Sequence, residues 1–385
     1  MNISNIQQKH KTLFGKNNTI IVRSPGRINL IGEHTDYNDG FVFPAAIDKA
    51  IWFSASGNNK ELFRFFSIDF DEYFELPVTE LSISKVAWAN YLLGVAAQFK
   101  KKGYSLSGVD IVFGGDIPVG AGLSSSAAVE NGFALVLNKL FNFRESKIEM
   151  VKMAQKAEHE YAGVMCGIMD QFAIMFGKKQ QAIKLDCRSL DYDYANINLA
   201  GYQIVLCDTK VKHSLASSAY NQRREECESG VNLLKQYKTG IAALRDIDPD
   251  LLNEHKTEMD KVVYRRCKYV VEENLRVMEA FKALNQGNII KLGALMNETH
   301  QGLRDDFEVS CKELDILFDF AKKFDGVIGS RMMGGGFGGC TINIVENDKA
   351  EAFSNEITKH YKQTTGNTPS IYEVKIMEGT NTVVL

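Results

Sequence analysis

Residues 115–132 read GDIPVGAGLSSSAAVENG, and the fold depends on how this segment is built. Before it, residues 109–113 alternate apolar side chains with smaller or polar ones, which predicts a half-buried strand. After it, apolar residues recur at helical spacing from Val129 to Leu140, which predicts a helix with one apolar face. The segment therefore joins a strand to a helix start through a glycine-rich loop.

This loop has the features of an anion site. Gly120 and Gly122 let the backbone turn and approach a ligand closely, while the serines at 124–126 lie where the first helix amides lack partners. Converging N–H groups and the helix dipole both favour a phosphate there. A Walker-type loop is excluded, because it requires a Gly-Lys pair that is missing here. The alternative is a capped helix whose serines only satisfy the first amides.

Bulk properties limit the classes of function. A chain of 385 residues exceeds the usual size of one core, which predicts two domains. With 45% hydrophobic residues, 24% charged residues and a net charge of −3, nothing indicates a nucleic-acid or membrane partner. The seven cysteines are scattered without a CxxC pair, and the polar amino terminus lacks an apolar signal region. We expect a cytoplasmic protein with reduced thiols and no zinc site.

A second informative stretch, SPGRINLIGEHTDYNDGFVFPAAID, covers residues 24–48. The patterns at 20–22 and 41–43 predict two strands with a long polar insert between them. Four residues able to bind hydroxyl groups crowd into this insert: Arg27, Glu33, His34 and Asp36. One interpretation is a pocket for a polyhydroxylated ligand, because carboxylates and an imidazole select hydroxyl groups by geometry. The other is an exposed loop with an Arg–Glu surface pair.

The segment around Asp170 offers candidate acids. Gly163 and Gly167 interrupt a helix, and Asp170 then stands near the start of another. A carboxylate held there by the helix dipole and a nearby arginine can act as a general base, although Asp at a helix start is also a common cap. Glu158, on the preceding helix, is either a solvent-facing acid or a metal ligand.

A third stretch, residues 326–346, is rich in glycine. Gly334, Gly336 and Gly339 match the GxGxxG spacing, but the residues that follow predict a strand instead of a helix, which excludes a dinucleotide-binding fingerprint. The pattern favours a tight turn that packs against another loop or a nucleotide. Tyr220, on a charged helix, is predicted to be a half-buried ring.

The three stretches together resemble the three motifs of the GHMP small-molecule kinase family, carried here by SPGRINLIGEHTDYNDGFVFPAAID, PVGAGLSSSAA and MMGGGFGGCTI in this order. The resemblance implies an α+β, two-domain GHMP kinase fold with the active site in the cleft between the domains. Residues 1–178 would form a domain related to ribosomal protein S5 domain 2, with the sugar- and phosphate-binding motifs. Residues 179–385 would form a ferredoxin-like domain with the third motif.

The same resemblance implies roles for particular residues. Asp170 corresponds to the base that takes the proton from the sugar's C1 hydroxyl, and Arg27 to the residue that keeps this aspartate ionised and stabilises charge on the transferred group. Ser126 and Glu158 correspond to the pair that binds Mg²⁺, which suits an ion that takes few protein ligands. Ser67 corresponds loosely to a nucleotide contact.

Two larger sets of binding residues are implied as well. The phosphates of ATP would lie against Gly120, Ala121, Gly122, Leu123, Ser124, Ser125 and Ser126. The sugar would contact Glu33, His34, Thr35, Asp36, Asp170 and Tyr220.

The GRINLIGEHTDY form of the first motif is similar to that of family members that phosphorylate galactose. It implies transfer of phosphate from ATP to the C1 hydroxyl of α-D-galactose, the first committed step of galactose metabolism. The partners would be galactose and ATP, without nucleic acid or membrane; we expect a monomer and leave a dimer open. Two alternatives remain, a galactose- and ATP-binding sensor without turnover and an N-acetylgalactosamine kinase. The complete run Ser125–Ala128 favours an enzyme, because the sensors lack part of it.

Overall fold

The computed structural model describes residues 3–118, 120–212 and 216–383. Helices in this part of the chain are α1 Ile3–Phe14, α2 Ala87–Lys101, α3 Ser125–Leu140, α4 Lys147–Ala157, α5 Met169–Phe176, α6 Ala216–Leu234, α7 Pro249–Glu254, α8 Lys261–Asn285, α9 Ile289–Gln301, α10 Lys312–Ala321 and α11 Ala350–Thr365. Strands are β1 Ile20–Asn29, β2 Phe41–Val42, β3 Pro44–Asn58, β4 Leu62–Ser67, β5 Glu72–Pro77, β6 Gly108–Gly115, β7 Gln181–Asp186, β8 Tyr192–Asn196, β9 Tyr202–Lys212, β10 Val327–Met332, β11 Gly338–Glu346, β12 Ser370–Val374 and β13 Asn381–Thr382.

A six-stranded sheet in the order β13-β1-β3-β6-β4-β5 carries the first two motifs. Strands β1, β3 and β6 pair antiparallel, and β4 runs parallel to β6. Helix α3 packs directly on this sheet because Gly132 has no side chain, and a Cβ there would lie 2.2 Å from the ring of Phe53. The loop before α3 is tied to β1, since the amide of Arg27 donates to the carbonyl oxygen of Leu123 at 3.2 Å. The predicted strand–loop–helix at 115–132 is confirmed.

A four-stranded antiparallel sheet in the order β10-β11-β9-β12 forms the other large layer. Together with the helices between β9 and β10 and with α11, it gives the β-α-β-β-α-β succession of ferredoxin-like folds, as expected. Helix α9 approaches β10 closely, because a Cβ on Gly293 would lie 2.2 Å from the carbonyl oxygen of Ile328. Strand β11 begins just after the glycine turn of the third motif. The α+β fold class is confirmed.

A three-stranded sheet in the order β2-β7-β8 packs against β3 of the large sheet and against α8. Strand β2 pairs with β7, and β13 near the carboxyl end returns to pair with β1. The proposed division into residues 1–178 and 179–385 stays a prediction.

Two sequence predictions need correction. The polar insert expected between strands at 20–22 and 41–43 is partly strand, because β1 continues through Pro25 to Asn29 with a register shift between Pro25 and Arg27. Arg27 therefore projects from the sheet and does not lie on a loop. Strand β8 and helix α7 were not predicted, since both are short and carry little periodicity.

All seven cysteines are free thiols. Within the described ranges, no helix combines the length and hydropathy that a membrane span requires.

Candidate active site

Two adjoining cavities lie where the three motifs meet. The first has a volume of about 190 Å³ and is lined by Arg27, Glu33, His34, Asp36, Glu158, Val164, Cys166, Gly167, Met169, Asp170, Tyr220, Gly334 and Gly335. The second has a volume of about 290 Å³ and is lined by Arg27, Pro118, Gly120, Gly122, Leu123, Ser124, Ser125, Ser126, Asp170, Gly334 and Gly335. Four residues line both: Arg27, Asp170, Gly334 and Gly335. The cavities therefore meet at Asp170.

Arg27 and Asp170 form a two-pronged ion pair at this junction. Arg27 Nε donates to Asp170 Oδ1 at 2.8 Å, and Arg27 Nη2 donates to Asp170 Oδ2 at 3.0 Å. The third guanidinium nitrogen donates to the carbonyl oxygen of Gly122 at 2.5 Å, so the same side chain also holds the glycine-rich loop. Burial lowers the pKa of Arg27, but the Asp170 and Glu33 carboxylates outweigh burial and leave that pKa raised. Arg27 is thus a permanent cation between the cavities.

Asp170 does not act as the simple helix cap considered above. It lies in the first turn of α5, where the preceding Ile168 makes no side-chain capping hydrogen bond, and its carboxylate is directed at Arg27 and Ser124. Ser124 Oγ donates to Asp170 Oδ2. The side chain is 28% exposed and opens onto both cavities. Oδ1 accepts only from Arg27 among these donors, so it keeps a lone pair that can still take the proton of a substrate hydroxyl.

Glu33 and His34 line the first cavity in defined protonation states. Glu33 Oε1 accepts from Arg331 Nη2 at 2.7 Å and from the amide of Gly334 at 2.8 Å. Burial raises the pKa of Glu33, but Arg331 and Arg27 outweigh it, so the pKa is lowered and the carboxylate is ionised. Burial lowers the pKa of His34 to about 4, which leaves a neutral imidazole. Its Nδ1 lies 2.8 Å from the Tyr37 hydroxyl, and its Nε2 has no partner among the described residues.

Asp36 and Tyr220 complete the wall of the first cavity. Burial, followed by the nearby Asp170 carboxylate, raises the pKa of Asp36 to about 7. The ring of Tyr220 lies 5.3 Å from that of His34 and 5.4 Å from that of Tyr37. The exposed Arg–Glu surface pair considered from the sequence is wrong, because Arg27 and Glu33 are both buried and have other partners.

The glycine-rich loop leaves the start of α3 open. Gly122 has a φ of +73°, and a Cβ there would lie 3.4 Å from the carbonyl oxygen of Met333 in the third motif. Ser124, at the N-cap position, has a φ of +57° and makes no side-chain capping hydrogen bond. The capped-helix alternative is therefore wrong. Open amides at the amino end of a 16-residue helix, next to a cavity, form a suitable anion site.

Ser126 and Glu158 lie together beside this loop. Ser126 Oγ donates to Glu158 Oε1 at 3.1 Å, and Glu158 is 8% exposed, so it is not the solvent-facing acid considered from the sequence. Burial, followed by the nearby Asp170 carboxylate, raises the pKa of Glu158, and a bound cation would relieve both effects. The described residues contain no group of three or more His, Cys, Asp and Glu side chains arranged for a metal. One hydroxyl and one carboxylate fit Mg²⁺, which keeps most of its ligands from water and phosphate.

Three predicted site residues do not line either cavity. Thr35 is buried, and its hydroxyl donates to the carbonyl oxygens of Gly32 and Phe41, so it supports the first motif from behind. Ser67 is buried at the end of β4. Ala121 belongs to the glycine-rich loop, but it is buried. Their roles as ligand contacts stay predictions.

Other residues of the site were not identified from the sequence. Gly167 leaves room for the carboxylate of Asp36, because a Cβ at residue 167 would lie 1.8 Å from Asp36 Oδ2. Gly335 faces Tyr220, and a Cβ on it would lie 3.5 Å from the ring. Arg331, fully buried on β10, holds Glu33 and also donates to the carbonyl oxygens of Leu30 and Asn29 at 2.9 and 2.7 Å. The signal for Arg331 was a charged residue in an otherwise apolar strand.

The amino-acid sequence matches three family models. The model described as galactokinase galactose-binding signature matches residues 8–57, and that of the GHMP kinases N terminal domain matches residues 90–178. The model of the GHMP kinases C terminal region matches residues 280–363. These ranges include the first motif, the glycine-rich loop with Asp170, and the third motif.

Full-length relatives and a solved structure agree with these models. Galactokinases of Roseiflexus sp. and Clostridium acetobutylicum are 41% and 43% identical to the chain, over 98% of its length and 97% and 98% of their own. The crystal structure of Lactococcus lactis galactokinase complexed with galactose matches with a TM-score of 0.95 at 36% identity, covering 99% of this chain and 100% of that one.

Proposed function

Since this chain belongs to the galactokinase family of GHMP kinases, we propose that it transfers the γ-phosphate of ATP to the C1 hydroxyl of α-D-galactose. The products are galactose 1-phosphate and ADP. The observation that carries the proposal is the shared wall of the two cavities, because Asp170 and Arg27 line both of them. A sugar in the first cavity and a triphosphate in the second would meet at these two side chains.

Galactose would occupy the first cavity. The ionised Glu33 and the carboxylate of Asp36 accept hydrogen bonds from sugar hydroxyls, and the free Nε2 of His34 supplies one more polar contact. The ring of Tyr220 lines the cavity beside His34 and supplies an apolar surface there. Because these groups are fixed by buried partners, the sugar is oriented on binding and one hydroxyl is presented to Asp170.

ATP would place its phosphates in the second cavity. The open amides at the start of α3 and the loop from Gly120 to Ser126 bind the anion, and Gly122 allows the backbone to come close. Ser126 and Glu158 would hold Mg²⁺, which neutralises charge on the phosphates when it is bound. No lysine lines either cavity, so Arg27 is the cation that the described lining supplies.

Asp170 acts as the base in the transfer. Its carboxylate accepts the proton of the C1 hydroxyl as the oxygen bonds to the γ-phosphorus, and the bond between that phosphorus and the leaving ADP oxygen breaks. Arg27 holds the carboxylate in place and stabilises negative charge on the transferred group. Phosphoryl transfer depends mainly on alignment and electrostatics, which fits a site with rigid, buried charges.

A substrate screen tests the proposal. The enzyme, ATP and Mg²⁺ are mixed with galactose, N-acetylgalactosamine or mevalonate, and ADP release and product mass are measured. We expect rapid ADP release with galactose and a product in which ³¹P couples to the anomeric proton. Binding of galactose and ATP without ADP release would favour the sensor alternative. Faster turnover of N-acetylgalactosamine than of galactose would favour the alternative of an N-acetylgalactosamine kinase.

A further inference from the structure

We propose that Glu130 and Gln171 are positioning residues that hold the carboxylate of Glu158 in place for Mg²⁺. The inference rests on the proposed function, since it assumes that Glu158 is a ligand of the ion. It assigns a role to two buried polar residues that line neither cavity.

A single amide joins the two glutamates. Gln171 follows Asp170 in α5 and is fully buried. Its Nε2 donates to Glu158 Oε2 at 2.8 Å and to Glu130 Oε2 at 3.3 Å. The other oxygen of Glu158 accepts from Ser126 at 3.1 Å. Both oxygens of Glu158 are therefore oriented, Oε1 by Ser126 on α3 and Oε2 by Gln171.

Glu130 is the second acceptor for the amide of Gln171. It lies on α3, is fully buried, and its Oε1 has no partner among the described residues. The Oε1 of Gln171 is also without a partner there. The NH₂ group of Gln171 faces both glutamates, because its Nε2 lies within hydrogen-bonding distance of one oxygen of each. Asn131, the residue after Glu130, fixes the backbone of Gln171 by donating to its carbonyl oxygen at 2.8 Å.

Without this support, the carboxylate of Glu158 would keep only weaker restraints on Oε2. The remaining neighbour is the thiol of Cys166, whose Sγ lies 3.4 Å from Oε2 and is a weak donor. A carboxylate that rotates away from Ser126 offers the ion one ligand fewer. Loss of such a supporting hydrogen bond lowers metal affinity by about 10- to 100-fold in other metal sites.

Calorimetric titration separates this role from a general effect on folding. The affinity for AMP-PNP is measured with Mg²⁺ and with EDTA, and the ratio of the two dissociation constants gives the contribution of the metal. In Gln171→Met and Glu130→Met, which remove the hydrogen bonds at similar side-chain volume, we expect this ratio to fall about tenfold while the affinity in EDTA stays the same. Glu130→Gln keeps an acceptor oxygen for Gln171 and should restore most of the ratio.

The control is Leu137→Ala, which truncates a buried apolar residue on the same helix, seven positions after Glu130. It should lower the melting temperature and leave the ratio unchanged. An unchanged ratio in both Met variants would overturn the inference, as would a Glu130→Gln variant as impaired as Glu130→Met. A wild-type enzyme that phosphorylates galactose but gains no nucleotide affinity from Mg²⁺ would also overturn it, while the proposed function would stand.

Discussion

Arg27 and Asp170 are 143 positions apart in the chain, yet two parallel hydrogen bonds of 2.8 and 3.0 Å join their side chains. The pair connects strand β1 of the first motif to helix α5, and Arg27 also reaches the loop of the second motif through Gly122. Geometry of this kind fixes the direction of a carboxylate. The site's chemistry depends on this connection.

Replacing the base tests its role directly. Asp170→Asn keeps the shape of the side chain but cannot take up the hydroxyl proton. We expect kcat to fall by about 10²- to 10⁴-fold, while galactose and ATP still bind. Steady-state kinetics with calorimetric titration of both substrates measure the two effects separately. A variant with near-normal kcat would remove Asp170 from its assigned role.

The two parallel hydrogen bonds from Arg27 to Asp170 should contribute to kcat in addition to the positive charge of Arg27. Arg27→Lys preserves a cation but replaces a planar fork with a single ammonium group, so the carboxylate of Asp170 loses one of its two hydrogen bonds from residue 27. We expect kcat to fall by about 10²-fold, because small misplacements of reacting groups are costly. The KM for galactose should change much less. Equal loss in both parameters would instead indicate a general collapse of the cavity.

Galactose affinity should depend on pH through Asp36. The pKa of this carboxyl is raised to about 7, so it gains a proton as the pH falls through neutrality and can then accept fewer hydrogen bonds from the sugar. Below that pH, we expect the dissociation constant of galactose to rise by up to about tenfold per pH unit. His34 stays neutral in this range because its pKa is about 4.

The matched variant for this test is Asp36→Asn. It should bind galactose more weakly than the wild type at pH 8 and should lose the pH dependence near neutrality. Calorimetric titration between about pH 5.5 and 8 covers the predicted transition. A flat wild-type profile would contradict the assigned state of Asp36.

Gly122 should be needed for binding the nucleotide and not only for forming the turn. Gly122→Ala adds a Cβ at a φ of +73° next to Met333, where the loop must approach the phosphates. We expect weaker ATP binding by about tenfold, on top of a backbone strain of about 1 kcal/mol. Gly240→Ala is the matched control, since its φ is +85° and nothing lies within 4 Å of the added Cβ. It should lose similar stability and keep the wild-type KM for ATP.

Local signals in the sequence predicted the glycine-rich loop and its flanking elements. Strand β6 and helix α3 follow directly from period-two and helical patterns on either side of residues 115–132. The third motif was predicted to pack against another loop or a nucleotide, and in the structure a Cβ placed on Gly334 would lie 3.7 Å from the Cα of Gly122. Glycine runs and apolar periodicity are properties of neighbouring residues, so one segment is enough to recognise them.

Partners that are distant in the chain were not predictable in the same way. Glu33 and Arg331 form a buried ion pair across 298 positions, and no sequence pattern connected the two charges. Arg27 was assigned to a loop because Pro25 and Gly26 interrupt the strand pattern, whereas pairing with β3 carries β1 through them. The bridge of Gln171 between Glu130 and Glu158 was missed for the same reason: tertiary packing decides which buried polar groups meet.

The meeting of sugar and phosphate at Asp170 is the central claim, and a crystal structure with galactose, Mg²⁺ and AMP-PNP tests it most directly. We predict that the C1 oxygen lies about 3–3.5 Å from the γ-phosphorus, as in a near-attack geometry, and within hydrogen-bonding distance of the Asp170 carboxylate. Galactose bound away from Arg27 and Asp170, or with a different hydroxyl facing the γ-phosphate, would contradict the claim.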